Sequence, residues 1–339
     1  RQSRHCMTDL DLPTDSRVAV FSLDAGRSLL GRVCERLGVE PGTHEERTFE
    51  DGEHKIRPLQ SVRGRDVYFV ESLYGDDHLS VNDKILRVLF FLAAARDAGA
   101  ARLTLVAPYL CYARKDRRTK PRDPVSLRYL ATVIESLGVD RVVTVDVHNP
   151  AAYENAFRIP ALQVQAAPLF VEALRPVIGD RAAVVVSPDA GGVKRAEVVR
   201  QALERRFDRS VELAFVEKFR SEGEVWGGTV VGTVADRVAI ILDDLISSGT
   251  TLVGAATACR EQGADAVCAA VTHGLFSTDA GRTLAASDLE RLFILDTVPP
   301  ARLDAAARQK VDVIDCAPLL ATTIYRLHTE RSLAEWAEA

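Results

Sequence analysis

An α/β fold of two tandem, doubly wound lobes with mainly parallel sheets is predicted by three features of the sequence. From residue 17 onward, short β-branched runs alternate with longer stretches of helical period. Several of those runs end in polar residues suited to chemistry: APYLCYARKDRR, VDVHN, SPDAGG and ILDDLISSGTT. A length of 339 residues exceeds one average domain and leaves each half enough chain for its own core.

The predicted strands are RVAVFSL from Arg17, DVYFVES from Asp66, RLTLVAP from Arg102 and RVVTVDV from Arg141 in the first half. In the second half they are AAVVVSP from Ala182, ELAFVEK from Glu212, RVAIILD from Arg237, AVCAAVT from Ala266, RLFILD from Arg291 and VDVID from Val311. Helices are expected over Ala25 to Leu37, Leu79 to Ala98, Val125 to Leu137, Val193 to Phe207, Thr251 to Gln262 and Ala317 to Leu327, because apolar residues recur there at three and four positions and give each one buried face. The stretch near 150–165 reads as a loop between lobes. The expected organisation is a tail over 1–16, a first lobe over 17–155, a second over 156–316, and a C-terminal helix over 317–339 that can pack back on the first lobe.

Hydrophobic residues at 47% and charged residues at 27% exclude a disordered or fibrous chain. With a net charge of −5, the surface as a whole does not recruit nucleic acid. Trp226 and Trp336 are too few and too far apart for a base-stacking platform. The six cysteines have no zinc spacing, no apolar run reaches the roughly 18 residues of a membrane span, and the first 20 residues do not read as a signal peptide, so a cytoplasmic protein is expected. RQSRHC, ahead of the only methionine, Met7, is set aside from the fold argument.

The sharpest chemical signal is ILDDLISSGTT. A buried strand ends in Asp243 and Asp244, and a helix begins after Ser247, Ser248, Gly249, Thr250 and Thr251. Backbone N–H groups at a helix start, with hydroxyls beside them and a glycine permitting close approach, suit a phosphate. The two carboxylates suit sugar hydroxyls. A bare S-G-T would fit an ordinary helix cap equally well, but two acids at the end of an apolar strand favour the ligand.

This segment resembles the binding signature for 5-phosphoribosyl 1-diphosphate (PRPP) of type I phosphoribosyltransferases and of ribose-phosphate pyrophosphokinases. Other segments, in order, are similar to the pyrophosphokinase family from about Val18 to Leu327, which implies two phosphoribosyltransferase-like domains. In FEDGE, Phe49, Asp51 and Glu53 match an adenine-binding hairpin that a neighbouring subunit contributes. In YARKDRR, Arg114, Lys115 and Asp116 match the ATP-contacting stretch, while Arg117 and Arg118 open a flexible catalytic loop. His148 in DVHN stands where the family places a Mg2+ ligand among its ATP-site residues. Asp189 in SPDAGG matches a second Mg2+ ligand, and with Ala190, Gly191 and Gly192 forms the diphosphate loop. Lys218 and Arg220 in EKFR match the catalytic lysine and arginine.

The resemblance implies a Mg2+-dependent enzyme that moves the diphosphoryl group of ATP to ribose 5-phosphate, giving PRPP and AMP. It also implies an active site between the lobes and a homo-oligomer built from dimers. Chemistry agrees, since charge must be neutralised on both sides of the transferred group; arginine forks and lysine point charges do this, and Mg2+ prefers sparse protein ligands with phosphates and water. Taken singly, each member has a bland reading: RKDRRTKPR as a solvated basic loop, His148 as a hydrogen-bonded strand end, Phe49 as a hairpin residue, and Gly191 with Gly192 as an aid to helix packing.

The sequence departs from the family where Ser247 replaces a third acid, Thr250 replaces a glycine, and Phe219 interrupts the basic run in EKFR. Two alternatives follow: a non-catalytic regulatory homologue, and a phosphoribosyltransferase that consumes PRPP. The ATP-like segments argue against the second. The remaining histidines, His5, His44, His54, His78, His273 and His328, show no metal spacing and receive no role.

Overall fold

Strands buried on both faces need unbroken apolar runs, and this requirement organises both halves of the chain. The computed structural model describes residues 10, 12, 17–221 and 224–333, with backbone alone for 218–221 and 224–227. Most of the tail expected over 1–16, and Trp336, fall outside the described residues. The chain divides into two compact units, one from the described residues of Arg1–Gln165 and Cys316–Ala339, the other from Ala166–Asp315.

The first unit runs β1 (Val18–Phe21), α1 (Arg27–Leu37), β2 (His44–Thr48), β3 (His54–Pro58), β4 (Asp66–Val70), α2 (Val81–Asp97), β5 (Arg102–Ala107), α3 (Ser126–Ser136), β6 (Arg141–Val145), α4 (Pro150–Ala156) and β7 (Ala161–Val164). Among the described residues its main sheet has the order β1-β4-β5-β6-β7, and all pairs are parallel. The antiparallel pair β2-β3 stands as a separate hairpin. Phe91 of α2 anchors the core, with its ring centroid 4.9 Å from that of Phe21 and 4.5 Å from that of Phe69. Each such side chain, fully buried, contributes about 1.5–3 kcal/mol. Ser80 and Asp83 start α2 by exchanging side-chain and backbone hydrogen bonds, which satisfies two helix-end donors.

The second unit runs α5 (Ala167–Ile178), β8 (Ala183–Ser187), α6 (Val193–Phe207), β9 (Glu212–Ser221), β10 (Glu224–Val231), β11 (Val238–Ile246), α7 (Thr250–Glu261), β12 (Ala266–Gly274), α8 (Ala280–Ala285), β13 (Arg291–Leu295), α9 (Ala305–Arg308) and β14 (Val311–Ile314). Its sheet has the order β10-β9-β8-β11-β12-β13-β14, and only β10 is antiparallel to its neighbour among the described strands. Strand order reverses between β8 and β11. In open α/β sheets such a reversal opens a crevice at the carboxyl ends of the two strands.

The last helix, α10 (Ala317–His328), belongs to the first unit and packs on α1. His328 Nδ1 lies 2.9 Å from Asp66 Oδ2, and Arg102 Nη2 donates to the same oxygen at 2.7 Å. No helix among the described residues is long and apolar enough to cross a membrane.

The structure corrects the sequence reading of 150–165 as a loop. That stretch forms α4, which Asn149 caps by accepting from Ala152 N–H, and β7, which extends the sheet. The units divide at Gln165, ten residues after the expected boundary at 155. Helix α5 and strand β10 were also hidden from periodicity. Pro168 and Pro176 disguise the helix, and the glycine pair in EVWGGTVV disguises the strand.

Candidate functional site

In the second unit, the loops after β8 and β11 lie on either side of the sheet's reversal point, where β8 and β11 pair from Ala183↔Val238 to Val186↔Ile241. After β8 the chain turns at Asp189. The Asp189 Oδ1 accepts from Gly191 N–H at 2.9 Å and Gly192 N–H at 3.1 Å, and Ser187 Oγ donates to the Asp189 carbonyl at 2.6 Å. Gly192 is required by space, since a Cβ there would sit 2.6 Å from Ser187 Oγ. Ala190, Gly191 and Gly192 form a single 3-10 turn that leads into α6.

Asp243 and Asp244 lie near the end of β11. Asp244 is almost fully buried, and Asp243 is partly so. Arg195, on the first turns of α6, places Nη1 2.9 Å from Asp244 Oδ1 and 3.4 Å from Asp243 Oδ1. Burial first, and then the neighbouring Asp244 charge, hold the Asp243 carboxyl well above the usual carboxylate range. Arg195 works in the opposite direction.

Past the acids, Ser247 and Ser248 are exposed, and Gly249 caps α7 in the left-handed region at φ +83°. That conformation selects glycine. The Oγ of Ser248 lies 3.0 Å from Thr250 Oγ1, and exposed Thr250 and Thr251 open the helix. Hydroxyls thus surround a twelve-residue helix start, the arrangement that attracts a phosphate. On the other side of β8, strand β9 carries Lys218 and Arg220, whose backbones pair with Gly228 and Val225 of β10. Their side chains lie outside the described residues.

The remaining expected residues are in the first unit. At the tip of the β2-β3 hairpin, Phe49 N–H donates to the Glu53 carbonyl at 2.7 Å, and Glu53 N–H donates to Asp51 Oδ1 at 3.1 Å. Phe49, Asp51 and Glu53 are exposed, and the Arg47 guanidinium lies 5.0 Å from the Phe49 ring centroid. Beyond β5, Asp116 accepts from Asn149 Nδ2 at 2.6 Å, which joins this loop to the residue after His148. His148 is itself exposed, beyond the end of β6.

Asp123 closes the loop that follows. Its Oδ2 takes Lys115 Nζ at 2.7 Å, Thr119 Oγ1 at 2.7 Å, Thr119 N–H at 3.1 Å and Lys120 N–H at 3.0 Å. These bonds, led by Lys115, hold its carboxyl well below the usual range. Arg114, Arg117 and Arg118 are exposed beside it.

The expected residues therefore fall into two groups. The second unit gathers Asp189 to Gly192 with Asp243 to Thr251, and the first unit joins Asp116 to the end of β6. The sequence reading missed Arg195, Asp123, Asn149 and Ser187. For Arg195 a signal existed in the basic pair that follows the glycines, but the pairing with β11 is a tertiary fact.

Comparison with known proteins matches two stretches of the chain to family models. Residues 18–138 match the family model described as the N-terminal domain of ribose phosphate pyrophosphokinase. Residues 209–336 match the phosphoribosyl synthetase-associated domain. A ribose-phosphate pyrophosphokinase of Hyphomonas neptunium is 36% identical over 317 residues, covering 93% of this chain and 98% of that protein. Ribose-phosphate pyrophosphokinase A of Dictyostelium discoideum is 35% identical over 320 residues, covering 94% of this chain and 97% of that protein. In structure, the chain is similar to the phosphoribosylpyrophosphate synthetase of Mycobacterium smegmatis, with a TM-score of 0.82 and 30% identity, covering 92% of this chain and 99% of that one.

Proposed function

Since the chain belongs to the ribose-phosphate pyrophosphokinase family, we propose that its reaction is attack of the anomeric hydroxyl of ribose 5-phosphate on the β-phosphorus of ATP, with AMP leaving and PRPP as product. The observation that carries this reading is the pair of loops at the β8/β11 reversal, tied together by Arg195. One offers backbone N–H groups and hydroxyls for a phosphate, together with carboxylates for sugar hydroxyls. The other is a tight glycine turn shaped for a diphosphate.

In this reading, Ser247 to Thr251 hold the 5-phosphate, and Asp243 with Asp244 accept from the ribose hydroxyls. Arg195 keeps the two acids aimed. Asp189 to Gly192 receive the diphosphoryl group. Phe49, Asp51, Glu53, Arg114, Lys115, Asp116 and His148 bind ATP, while Lys218, Arg220, Arg117 and Arg118 neutralise charge on the transferred group as the bond to AMP breaks.

Mg2+ fits the donors present, because His148 is exposed, Asp189 is half-buried, and each offers the single hard or imidazole ligand that a phosphate-bound ion takes from protein. When bound it supplies further neutralisation of phosphate charge. The exposed hairpin tip supports a homo-oligomer in which Phe49, Asp51 and Glu53 serve a neighbouring site. Among the described residues, Cys34, Cys111, Cys259, Cys268 and Cys316 are free and buried, which supports a reducing, cytoplasmic setting.

The deciding experiment is a coupled assay of AMP and PRPP with ATP and Mg2+. AMP release that requires ribose 5-phosphate and matches PRPP formation is expected. Consumption of PRPP with a base would instead indicate a phosphoribosyltransferase, and no turnover with intact binding would indicate a non-catalytic homologue.

A further inference from the structure

At the base of the β2-β3 hairpin, away from the residues assigned above, Asp24, His44 and Glu46 direct ligand atoms to one point. Among the described residues these three form a group whose donor atoms all lie within 4.8 Å of one another. His44 Nε2 is 3.3 Å from Asp24 Oδ1 and 3.5 Å from Glu46 Oε2. Donors held tetrahedrally at zinc-like bond lengths stand ~3.3 Å apart, as follows from bonds of about 2.0–2.1 Å. The two distances from His44 Nε2 match that spacing.

His44 supplies an independent sign of a missing partner. Its side chain is only 3% exposed, and its buried Nε2 faces the two carboxylate oxygens without making a well-formed hydrogen bond to either. A buried imidazole nitrogen left in this way costs free energy that a ligand would recover. The ring is set edge-on against Phe91, with centroids 6.4 Å apart and planes at 89°, so packing fixes its direction.

The carboxylates are prepared in the same sense. Glu46 Oε2 accepts from Asp24 N–H at 3.0 Å, which ties the two segments that carry the carboxylates. Arg87 contacts Glu46 Oε1 at 2.7 Å and Thr48 Oγ1 at 3.0 Å, which orients the carboxylate and leaves Oε2 towards His44. Such outer partners are common around bound metals. Arg27, 2.8 Å from Asp24 Oδ1, is a solvent-exposed neighbour three residues along the chain, and a pair of this kind is easily displaced. Asp24 also faces solvent, which gives an entry path and a place for water as a further ligand.

We propose that Asp24, His44 and Glu46 form a site for one divalent metal ion of the zinc type, which fastens the turn after β1 to the first strand of the hairpin. One imidazole and two carboxylates suit Zn2+ and its tetrahedral substitute Co2+ better than an all-oxygen ion. The site is independent of the reading of the active site and acts on the support of the hairpin that carries Phe49, Asp51 and Glu53.

The test uses the full chain, stripped by a chelator and titrated with Co2+ and then Zn2+ in the absence of nucleotide. Expected are visible tetrahedral Co2+ bands saturating at one ion per chain, their displacement by Zn2+, and a rise in Tm with Zn2+. All three should vanish in His44→Gln and in Asp24→Asn, and persist in His148→Ala. Asp24→Asn lies at an exposed position, so it keeps the test valid if the buried histidine variant does not fold. Absence of the bands in the unaltered chain, or bands that survive both substitutions, overturns the proposal.

Discussion

Arg195 Nη1 lies 2.9 Å from Asp244 Oδ1, so the helix after β8 is clamped to the buried end of β11 by a guanidinium and a carboxylate. Removing the cation takes from an almost buried acid the guanidinium that faces it. Arg195→Met is expected to destabilise the chain by about 3 kcal/mol, the size found when one partner of a buried pair is removed. It should also raise the KM for ribose 5-phosphate while leaving that for ATP nearly unchanged. Thermal unfolding and initial-rate kinetics check the two parts separately.

Asp243 sits well above the ordinary carboxylate range because of burial and the adjacent acid. As pH falls it takes up a proton early and loses its ability to accept from a sugar hydroxyl. The KM for ribose 5-phosphate should therefore rise as pH drops below neutral, earlier than an ordinary carboxylate would cause. In Asp243→Asn the same KM should be high throughout, with this part of the pH dependence gone.

Glu71 is buried, with Leu23 N–H donating to its Oε2 at 3.1 Å, and burial pushes its carboxyl up to about 8. A folded-state value above the unfolded one means that its contribution is fully present below about 4.5 and is lost as pH rises through about 8. Glu71→Gln should flatten stability over that window and make the protein the more stable form at pH above 8. Denaturation midpoints across pH measure this, and an unchanged slope contradicts it.

Gly249 adopts φ +83° at the start of α7. Placing alanine in that region costs about 1–2 kcal/mol, and relaxation of the strain would turn the first N–H groups of the helix away from their present line. Gly249→Ala should lower Tm by a few degrees and raise the KM for ribose 5-phosphate more than tenfold, without affecting ATP binding. Calorimetry with the sugar phosphate and with a non-hydrolysable ATP analogue separates the effects.

Lys218→Ala should reduce kcat by about 100-fold or more with little change in the KM for ATP, as for a group acting on charge that develops during transfer. Equal loss in binding and turnover would show it to be a binding residue. If the hairpin serves a neighbouring site, mixing Lys218→Ala with Phe49→Ala after brief dissociation should restore part of the activity that neither variant has alone. No recovery on mixing would place both groups in the same subunit.

Much of the fold was legible because a parallel strand buried on both sides must be an apolar run, as VVVS and VAIIL are. What escaped was structure whose residues locally favour something else. Pro176 lies inside α5, and the glycine pair lies inside β10. In the site, the acids of β11 and the glycine turn after β8 announced themselves because backbone chemistry demands those residue types. Arg195 did not, since nothing in VKRA reveals which carboxylates α6 will face. His44 was passed over for a similar reason. Its alternation with Glu46 places both on one face of β2 and was a readable hint, but Asp24 joins them only through the tertiary fold.

The grip of Asp123 on Lys115, Thr119 and Lys120 has a further consequence. If Lys115 serves ATP as proposed, an internal anion already pairs with that ammonium and leaves stray phosphate little reward. A triphosphate, bringing several oxygens at once, can outcompete a single carboxylate where a smaller anion cannot. Selectivity for the long polyanion would then begin with a rivalry inside the chain, before any adenine is recognised.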